Sequence, residues 1–372
     1  MNRGYFEVNG RTNTGLFLRR GRIPPPHNLY ANPHQGNVIG SYSTGSTTPT
    51  VLTTAYSFGV SGTLRALRFM VPQTRVLTEI WYATGANTGS PTGALTVELR
   101  TSNASNALLP GTLVTSESST PVASSWNRVV LTTPQQLTIN TMYFIVVGDP
   151  AGNATNYYRV FDNTGGLAAT LATGEARFWC PVNTTNGFAT AGTLINGGHV
   201  MLLKFSDGTW MGMQNAGGGT PGSNTLKRGI YIDNFETDME IFGMSVGSAA
   251  SWSGVEIFGG NQAPNSSPLY TQAVTADNRA LLFCYFERPF RMRVGNSYRA
   301  VMTFSANSSA PGQIGTANFA SSPDPTVGMP WGTKLQATIA TSGNAWQTGN
   351  KTLGLSQYAI LLMVRRVLDP RV

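Results

Sequence analysis

Charged residues are scarce in this chain. Only 11% of its 372 residues are Asp, Glu, Lys or Arg, where about 25% is typical of globular proteins. There are 17 acidic residues and three histidines, and two of the histidines, His27 and His34, lie in a proline-rich N-terminal segment. The third, His199, has no acidic residue or cysteine beside it. These are the side chains that general acid–base catalysis draws on.

Motifs of catalysis are also missing. No nucleophile elbow, phosphate-binding loop, zinc-ligand spacing or dinucleotide fingerprint occurs. We therefore predict a protein that is not an enzyme, with no catalytic residues and no cofactor. Two carboxylates that meet only in the folded chain would still suffice for a glycosidase, so a glycan-cleaving enzyme stays as a third alternative.

Cysteine and long apolar runs are rare as well. Cys180 and Cys284 each lie among apolar neighbours, which favours two buried free thiols over a disulfide scaffold; a disulfide between them stays open. Apolar runs of about six residues are too short to cross a membrane, so no membrane partner is predicted. Residues 1–10 lack the charged and apolar regions of a secretory signal, so we expect synthesis in a cytosol.

What the chain does contain is a repeat. Three strand-like phrases occur twice in the same order: Val97–Leu99, Met142–Val147 and Val200–Leu203, then Val255–Ile257, Tyr298–Met302 and Ala359–Val364. The spacing is similar too, because Tyr143 precedes Val200 by 57 positions and Tyr298 precedes Ala359 by 61. Duplicated surfaces suit multivalent contact, so the repeat favours a binding or building protein.

The hydrophobic pattern predicts an all-β fold. Leu95, Val97 and Leu99 alternate with polar residues, and loops rich in Gly, Ser, Thr and Asn separate short strands. No amphipathic stretch of helical period is longer than about ten residues. We predict two tandem antiparallel β-sandwiches, with an extended arm over 1–52, a first module over 53–205, a glycine-rich linker over 206–226 and a second module over 227–372.

The arm is basic and rich in proline. Residues 1–50 contain five arginines and one glutamate, which is +4 of the formal +8 of the chain. This favours docking on an acidic protein surface; nucleic acid is not favoured, because lysine clusters and interleaved aromatics are missing. A floppy tail is the alternative. The candidate docking residues are Arg11, Leu16, Phe17, Arg19, Arg20, Arg22, Pro24, Pro25 and Pro26.

One acidic cluster, Asp233, Glu236, Asp238 and Glu240, is a candidate metal site. On a strand the last three would share one face, with carboxylates about 7 Å apart that do not converge on one ion. We therefore predict a solvated outer face and no metal, with calcium as the alternative.

Aromatic residues beside polar stretches are candidate contacts for a glycan or a protein. Rings exposed near loops stack on sugars or anchor protein contacts, whereas core packing is the alternative role. The candidates are Trp81, Tyr82, Trp126, Trp252 and Tyr270.

Several phrases resemble known proteins. The succession SPTGALTVELRTSNASNALLPGTLV and QQLTINTMYFIVV is similar to β-sandwich modules of bacterial surface proteins. GVEIFGGNQAPNSSPLYTQAV, ERPFRMRVGNSYRAVM and HVMLLKFSDGTW resemble modules of structural proteins of tailed bacteriophages. The resemblance covers residues 55–366 and leaves out the arm. The surface proteins carry a signal peptide and a C-terminal anchor, neither of which is expected here, so the phage resemblance is favoured.

The resemblance implies a virion protein with jelly-roll-like sandwiches, made in the host cytoplasm. On this interpretation the chain is a non-enzymatic decoration, fibre or tail-associated protein that docks on the particle through its arm. Its expected partners are capsid or tail proteins and further copies of itself. The alternative is an adhesin or receptor-binding protein that recognises host-surface glycans.

Overall fold

The structure is a computed structural model. It describes residues 7–8, 11–12, 38–40, 54–57, 64–71, 74–105, 109–139, 141–163, 179–184, 193–194, 198–199, 201–212, 223–224, 226–233, 235–246, 252–274, 279–280, 283–305, 308–309, 313–314, 329–340, 344–348, 357–358 and 360–367.

The regular secondary structure of the described residues is almost entirely β-strand, and every strand pair is antiparallel, which confirms the predicted all-β class. The first sixteen strands are β1 (Glu7–Val8), β2 (Arg11–Thr12), β3 (Val38–Gly40), β4 (Thr54–Ser57), β5 (Leu64–Met70), β6 (Arg75–Ala83), β7 (Leu95–Ser102), β8 (Pro110–Ser119), β9 (Trp126–Leu137), β10 (Met142–Gly148), β11 (Arg159–Asn163), β12 (Trp179–Thr184), β13 (Thr193–Leu194), β14 (Gly198–His199), β15 (Met201–Phe205) and β16 (Trp210–Gly212).

The other strands are β17 (Ser223–Asn224), β18 (Arg228–Asp233), β19 (Met239–Val246), β20 (Trp252–Gly259), β21 (Tyr270–Ala273), β22 (Arg279–Ala280), β23 (Phe283–Met292), β24 (Tyr298–Phe304), β25 (Ser308–Ser309), β26 (Gln313–Ile314), β27 (Lys334–Ala340), β28 (Trp346–Thr348), β29 (Gln357–Tyr358) and β30 (Ile360–Arg366). One short 3₁₀ turn covers Pro330–Gly332.

The N-terminal unit, residues 54–212, contains two sheets around one core. The six-stranded sheet has the order β13-β12-β5-β10-β7-β8 and the four-stranded sheet the order β16-β15-β6-β9; β14-β11-β4 forms a third, smaller sheet. Phe69 and Ile145 of the six-stranded sheet share a buried cluster with Ile80 and Leu203 of the four-stranded sheet. The two sheets therefore bury their apolar faces against each other.

The C-terminal unit, residues 223–367 together with β3, is organised in the same way. Its six-stranded sheet runs β21-β20-β24-β18-β27-β28 and its five-stranded sheet runs β22-β23-β19-β30-β3, with β17-β25 and β26-β29 as small ribbons. Ile230 and Ile257 of the first sheet share a buried cluster with Met244, Leu362 and Ile39 of the second.

The two units repeat one strand order. The sequence β13-β12-β5-β10-β7-β8 corresponds strand for strand to β28-β27-β18-β24-β20-β21, and β16-β15-β6-β9 corresponds to β3-β30-β19-β23. The three repeated phrases of the sequence fall on equivalent strands: β7 and β20, β10 and β24, and β15 and β30.

Local details repeat as well. The hydroxyl of Tyr143 accepts a hydrogen bond from the backbone N–H of Thr138 at 3.0 Å, and that of Tyr298 accepts one from Arg293 at 3.0 Å, in both cases five residues upstream. The central strands β6 and β19 also change register at equivalent places, between Leu77 and Glu79 in β6 and between Ile241 and Gly243 in β19. These matches extend the repeat from strand order to individual residues.

Two segments are integrated more closely than the sequence suggested. Residues 210–212, interpreted from sequence as the start of a linker, form β16 on β15. Residues 38–40, interpreted as part of the arm, form β3 on β30, with Ile39 fully buried in the C-terminal core. The jelly-roll-like topology and the remaining boundaries stay predictions.

The hairpin between β15 and β16 contacts the C-terminal unit. One backbone hydrogen bond joins Gly208 and Trp331, in which the N–H of Trp331 donates to the carbonyl of Gly208 at 3.0 Å. The carbonyl of Trp331 in turn accepts from the N–H of Glu236 at 3.0 Å. Both Gly208 and Trp331 have positive φ, +80° and 51°. The turn Pro330–Gly332 is therefore held between the two units.

Candidate functional site

The outer surface of the four-stranded sheet in the N-terminal unit carries the most concentrated set of functional side chains. Along β6 and β15, Ile80, Tyr82 and Leu203 point into the core. The alternating residues point the other way, because successive side chains of a strand lie on opposite faces. We call this outward surface the aromatic face; it consists of Glu79, Trp81, Trp126, Arg128, Leu202, Lys204 and Trp210.

Three tryptophans form the apolar part of the aromatic face. The rings of Trp81 and Trp210 lie edge to face, with centroids 5.9 Å apart and an interplanar angle of 61°. Leu202 and Trp210 are buried beneath, and the half-buried Trp81 and Trp126 pack against them. Edge-to-face rings hold each other in fixed orientations. The aromatic face therefore presents two partly exposed indoles, Trp81 and Trp126, packed on a buried apolar base.

A charged network lies beside the indoles. Arg128 donates to both carboxylate oxygens of Glu79, Nε to Oε2 and Nη2 to Oε1, each at 2.8 Å. The indole Nε1–H of Trp81 donates to Oε2 at 2.8 Å, and Lys204 Nζ donates to Oε1 at 3.1 Å. Lys204 Nζ also lies 5.5 Å from the centroid of the Trp210 ring. One carboxylate thus positions an indole and two cations.

Glu79 is held as a permanent anion. Its burial favours the neutral acid, but hydrogen bonds from Arg128, Trp81 and Lys204 outweigh burial and lower the pKa of Glu79 from 4.5 to about 2. A carboxylate with that pKa is a poor proton donor or acceptor near pH 7. Glu79 therefore acts as an anchor, and Arg128 and Lys204, with side chains 52% and 36% exposed, keep donors directed to solvent.

On the equivalent face of the C-terminal unit, the described positions that match these residues carry different side chains. Matched register pairs place Gly243 where the N-terminal unit has Glu79, and Ser245 where it has Trp81. Lys204 corresponds to Met363, Arg128 to Phe283 and Trp210 to Val38. Because the two sheets share strand order and register, the aromatic face is not a requirement of the fold.

The structure brings two of the five predicted aromatic contacts together. Trp81 and Trp126 both lie on the aromatic face. Tyr82, Trp252 and Tyr270 lie in the cores, exposing 0%, 3% and 7% of their surface. Burial raises the pKa of Tyr82 to about 12 and that of Tyr270 to about 12. Buried rings offer no open face to a sugar. These three residues therefore have the alternative role, core packing.

Sequence reasoning did not assign Glu79, Arg128 or Lys204 to a site. Their signal was the strand period itself, since each occupies an outward position opposite a core residue. The partners come from three separate strands, and only the register of β6 with β9 and β15 unites them.

The docking-arm residues are largely beyond the described part of the chain. Arg11 lies in β2, where only the backbone is described. Leu16, Phe17, Arg19, Arg20, Arg22, Pro24, Pro25 and Pro26 lie outside the described residues.

The acidic cluster is arranged differently from the prediction. β18 ends at Asp233 and β19 begins at Met239, so Glu236 and Asp238 lie in a connection and not on a strand. Asp238 is paired with Arg291 at 2.7 Å and Glu240 with Arg365 at 2.6 Å. The predicted strand was wrong for Glu236 and Asp238, where Asp238 Oδ1 accepts a hydrogen bond from the N–H of Val294, whereas Glu240 does lie on β19.

Three further observations concern metals, membranes and thiols. Across the described ranges, no group of three or more His, Cys, Asp or Glu side chains is arranged to hold a metal ion. Within those same ranges, no helix has the length and apolar character needed to cross a membrane. Cys284 is buried in the C-terminal core, and burial raises the pKa of its thiol to about 12.

Comparison of the chain with protein-family models, with curated proteins and with solved structures found no match.

Proposed function

We propose that the protein is a non-enzymatic saccharide-binding protein and that the aromatic face is its binding site. The observation that carries the proposal is the pairing of half-buried indoles with partly exposed cations on one face; the residues matched to Trp81, Trp210, Arg128 and Lys204 in the second unit are neither tryptophan nor cationic. Sugar rings present C–H groups to indole faces and hydroxyls to polar donors, so this combination suits a saccharide.

The charges favour an acidic saccharide. One carboxylate, Glu79, is shared by two cations, Arg128 and Lys204, which leaves a local charge of +1. Arg128 engages Glu79 through Nε and Nη2, so Nη1 keeps its donors for a ligand. A carboxylate or sulfate on a sugar next to the indoles would meet these donors, whereas a neutral sugar would rely on stacking and hydroxyl contacts alone.

The test is binding of the full chain to a panel of neutral, uronic-acid, sialic-acid and sulfated oligosaccharides, followed by titration calorimetry of the best ligands. We expect Trp81→Ala to weaken binding at least tenfold, since a stacked Trp commonly contributes more than about 1.4 kcal/mol. Trp346→Ala is the matched control, because Trp346 is a half-buried Trp of the other unit. Equal binding by wild type and Trp81→Ala would refute the assignment.

A second candidate function is favoured by β3. We infer a virion structural protein that docks through its N-terminal segment, because the end of that segment is used as a strand by a folded unit. The experiment is co-sedimentation with the parent particle. A version lacking residues 1–36 is preferable to one lacking 1–50, since it retains β3 and leaves the C-terminal core intact. Equal sedimentation of both versions, or of neither, would refute docking through the segment before β3.

A further inference from the structure

The edge strand β3 reaches the C-terminal unit from a distant part of the chain. Val38, Ile39 and Gly40 lie opposite Met363, Leu362 and Leu361 of β30. Ile39 is fully buried and shares the C-terminal core with Leu362. β3 therefore forms the edge of a sheet whose other strands all come from residues 239–366.

The N-terminal unit shows what this strand replaces. Its equivalent strand is β16, where Trp210, Met211 and Gly212 lie opposite Lys204, Leu203 and Leu202 of β15. Met211 is 2% exposed in the N-terminal core, as Ile39 is 0% exposed in the C-terminal core, and a glycine follows each of them. β3 therefore fills the same position as β16 in register and in core contact.

The two strands differ in how they reach that position. β16 follows β15 through a tight turn, closed by hydrogen bonds between Phe205 and Thr209 at 2.9 Å and between Gly208 and Phe205 at 3.0 Å. β3 is joined instead to β4 of the other unit by residues 41–53. That linker of 13 residues can span at most about 45 Å. A strand tethered by a linker can insert into its own unit or into that of another molecule with the same contacts.

We propose that the edge of β30 is a strand-acceptor site and that its partner is the Val38–Gly40 strand of a second copy, so that copies assemble by strand exchange. The donated strand contributes backbone hydrogen bonds along β30 and places Ile39 in the acceptor's core, the mode by which extended segments add to sheet edges. The residues that make the site in one chain also make it between chains, since donor and acceptor belong to the same sequence. This assembly does not depend on saccharide binding.

The test uses single-cysteine versions of the full chain. Val38 and Met363 are opposite each other in register, and facing residues of antiparallel strands have Cα separations that a disulfide can bridge. Val38→Cys and Met363→Cys are purified separately, mixed, incubated at 37 °C, oxidised gently and run on a non-reducing gel. Each version alone controls for crosslinks through Cys180 or Cys284. Val38→Cys mixed with Lys334→Cys, an exposed position elsewhere in the unit, controls for random collision.

A disulfide-linked heterodimer from the first mixture, at least fivefold above both controls, is the expected result. The double variant Val38→Cys/Met363→Cys should then give linked oligomers as well as crosslinked monomers. Crosslinked monomers of the double variant without heterodimers from the mixture would overturn exchange while leaving β3 as an internal strand. No crosslink in either experiment would overturn the strand-acceptor site itself. Saccharide binding by the same preparations reports separately on the proposed function.

Discussion

Replacing Glu79 by glutamine should remove a specific part of the acid sensitivity of the protein. The folded pKa of Glu79 lies at about 2, below its ordinary 4.5. A carboxyl with a depressed folded pKa stabilises the fold above the unfolded pKa, and that stability is lost as the pH falls through the folded pKa. The difference of about 2.5 units corresponds to about 3 kcal/mol, since one unit is about 1.4 kcal/mol. Most of it should be lost between about pH 4.5 and pH 2.5.

The assay is urea unfolding of wild type and Glu79→Gln at a series of pH values from 7 to 2.5, followed by tryptophan fluorescence. At pH 7 the variant should be less stable, because a neutral amide cannot hold Arg128 and Lys204 as the carboxylate does. The difference in the free energy of unfolding between the two proteins, which we call the gap, should shrink by about 2.5 kcal/mol between pH 7 and pH 2.5. Glu287→Gln, at an exposed position on β23, is the matched control. A gap between wild type and Glu79→Gln that stays constant across the series would refute the argument.

Four further substitutions test the fold. Tyr143→Phe and Tyr298→Phe each remove one hydrogen bond to a backbone N–H and should each cost about 1 kcal/mol in urea unfolding, and a cost in one unit alone would contradict the equivalence of the two. Arg299→Lys should lower the free energy of unfolding by about 2 kcal/mol, because the guanidinium lies 4.5 Å from the centroid of the Tyr231 ring and donates to two threonine hydroxyls. An unchanged midpoint of urea unfolding would contradict this. Gly208→Ala should lower the melting temperature, at a cost of about 1 kcal/mol or more, because the glycine has φ +80° and a Cβ would lie 3.0 Å from Trp331 Cδ1; a melting temperature equal to wild type would count against the contact between the units.

The sequence carries enough information to find the strands that form the centre of each unit. The phrases at Val97, Tyr143 and Val255 are apolar and of period two, or are apolar on both faces, and the structure has strands at each of them. These strands lie in the middle of their sheets, where burial on one or both faces leaves a strong pattern. Short edge strands leave a weaker hydrophobic pattern, because three residues with a single buried side chain cannot be distinguished by sequence from many loop segments.

The strand β3 illustrates that limit. Val38-Ile39-Gly40 follows a stretch rich in proline, glycine and asparagine, and its partner β30 lies at the other end of the chain. Local pattern gives no sign of such a pairing, because only the register of a sheet brings the two segments together. The same reason explains why the linker was predicted to begin at 206, although β16 continues the sheet to residue 212.

Adjacent aromatics show a second limit. Trp81 and Tyr82 are neighbours on β6, and a strand must direct one outward and one inward. The sequence pattern predicts both residues as candidate ligand contacts. In the structure, Tyr82 is fully buried and its hydroxyl donates a hydrogen bond to Ser119 at 2.8 Å. Knowing which of two adjacent rings faces solvent requires the position of the other sheet, and that is a property of the whole unit.

The strand position shared by β16 and β3 shows where the two units have diverged. Its inward residue is constrained in both, since Met211 and Ile39 each fill a core. The residue before it differs, because the N-terminal unit has Trp210 at the position where the C-terminal unit has Val38. Trp210 packs outside the core between the two sheets, in a separate cluster with Leu202 and Trp81 on the aromatic face. The geometry therefore favours a separate role for each unit. In the N-terminal unit the role is ligand contact on the aromatic face, and in the C-terminal unit it is strand acceptance at the edge of β30.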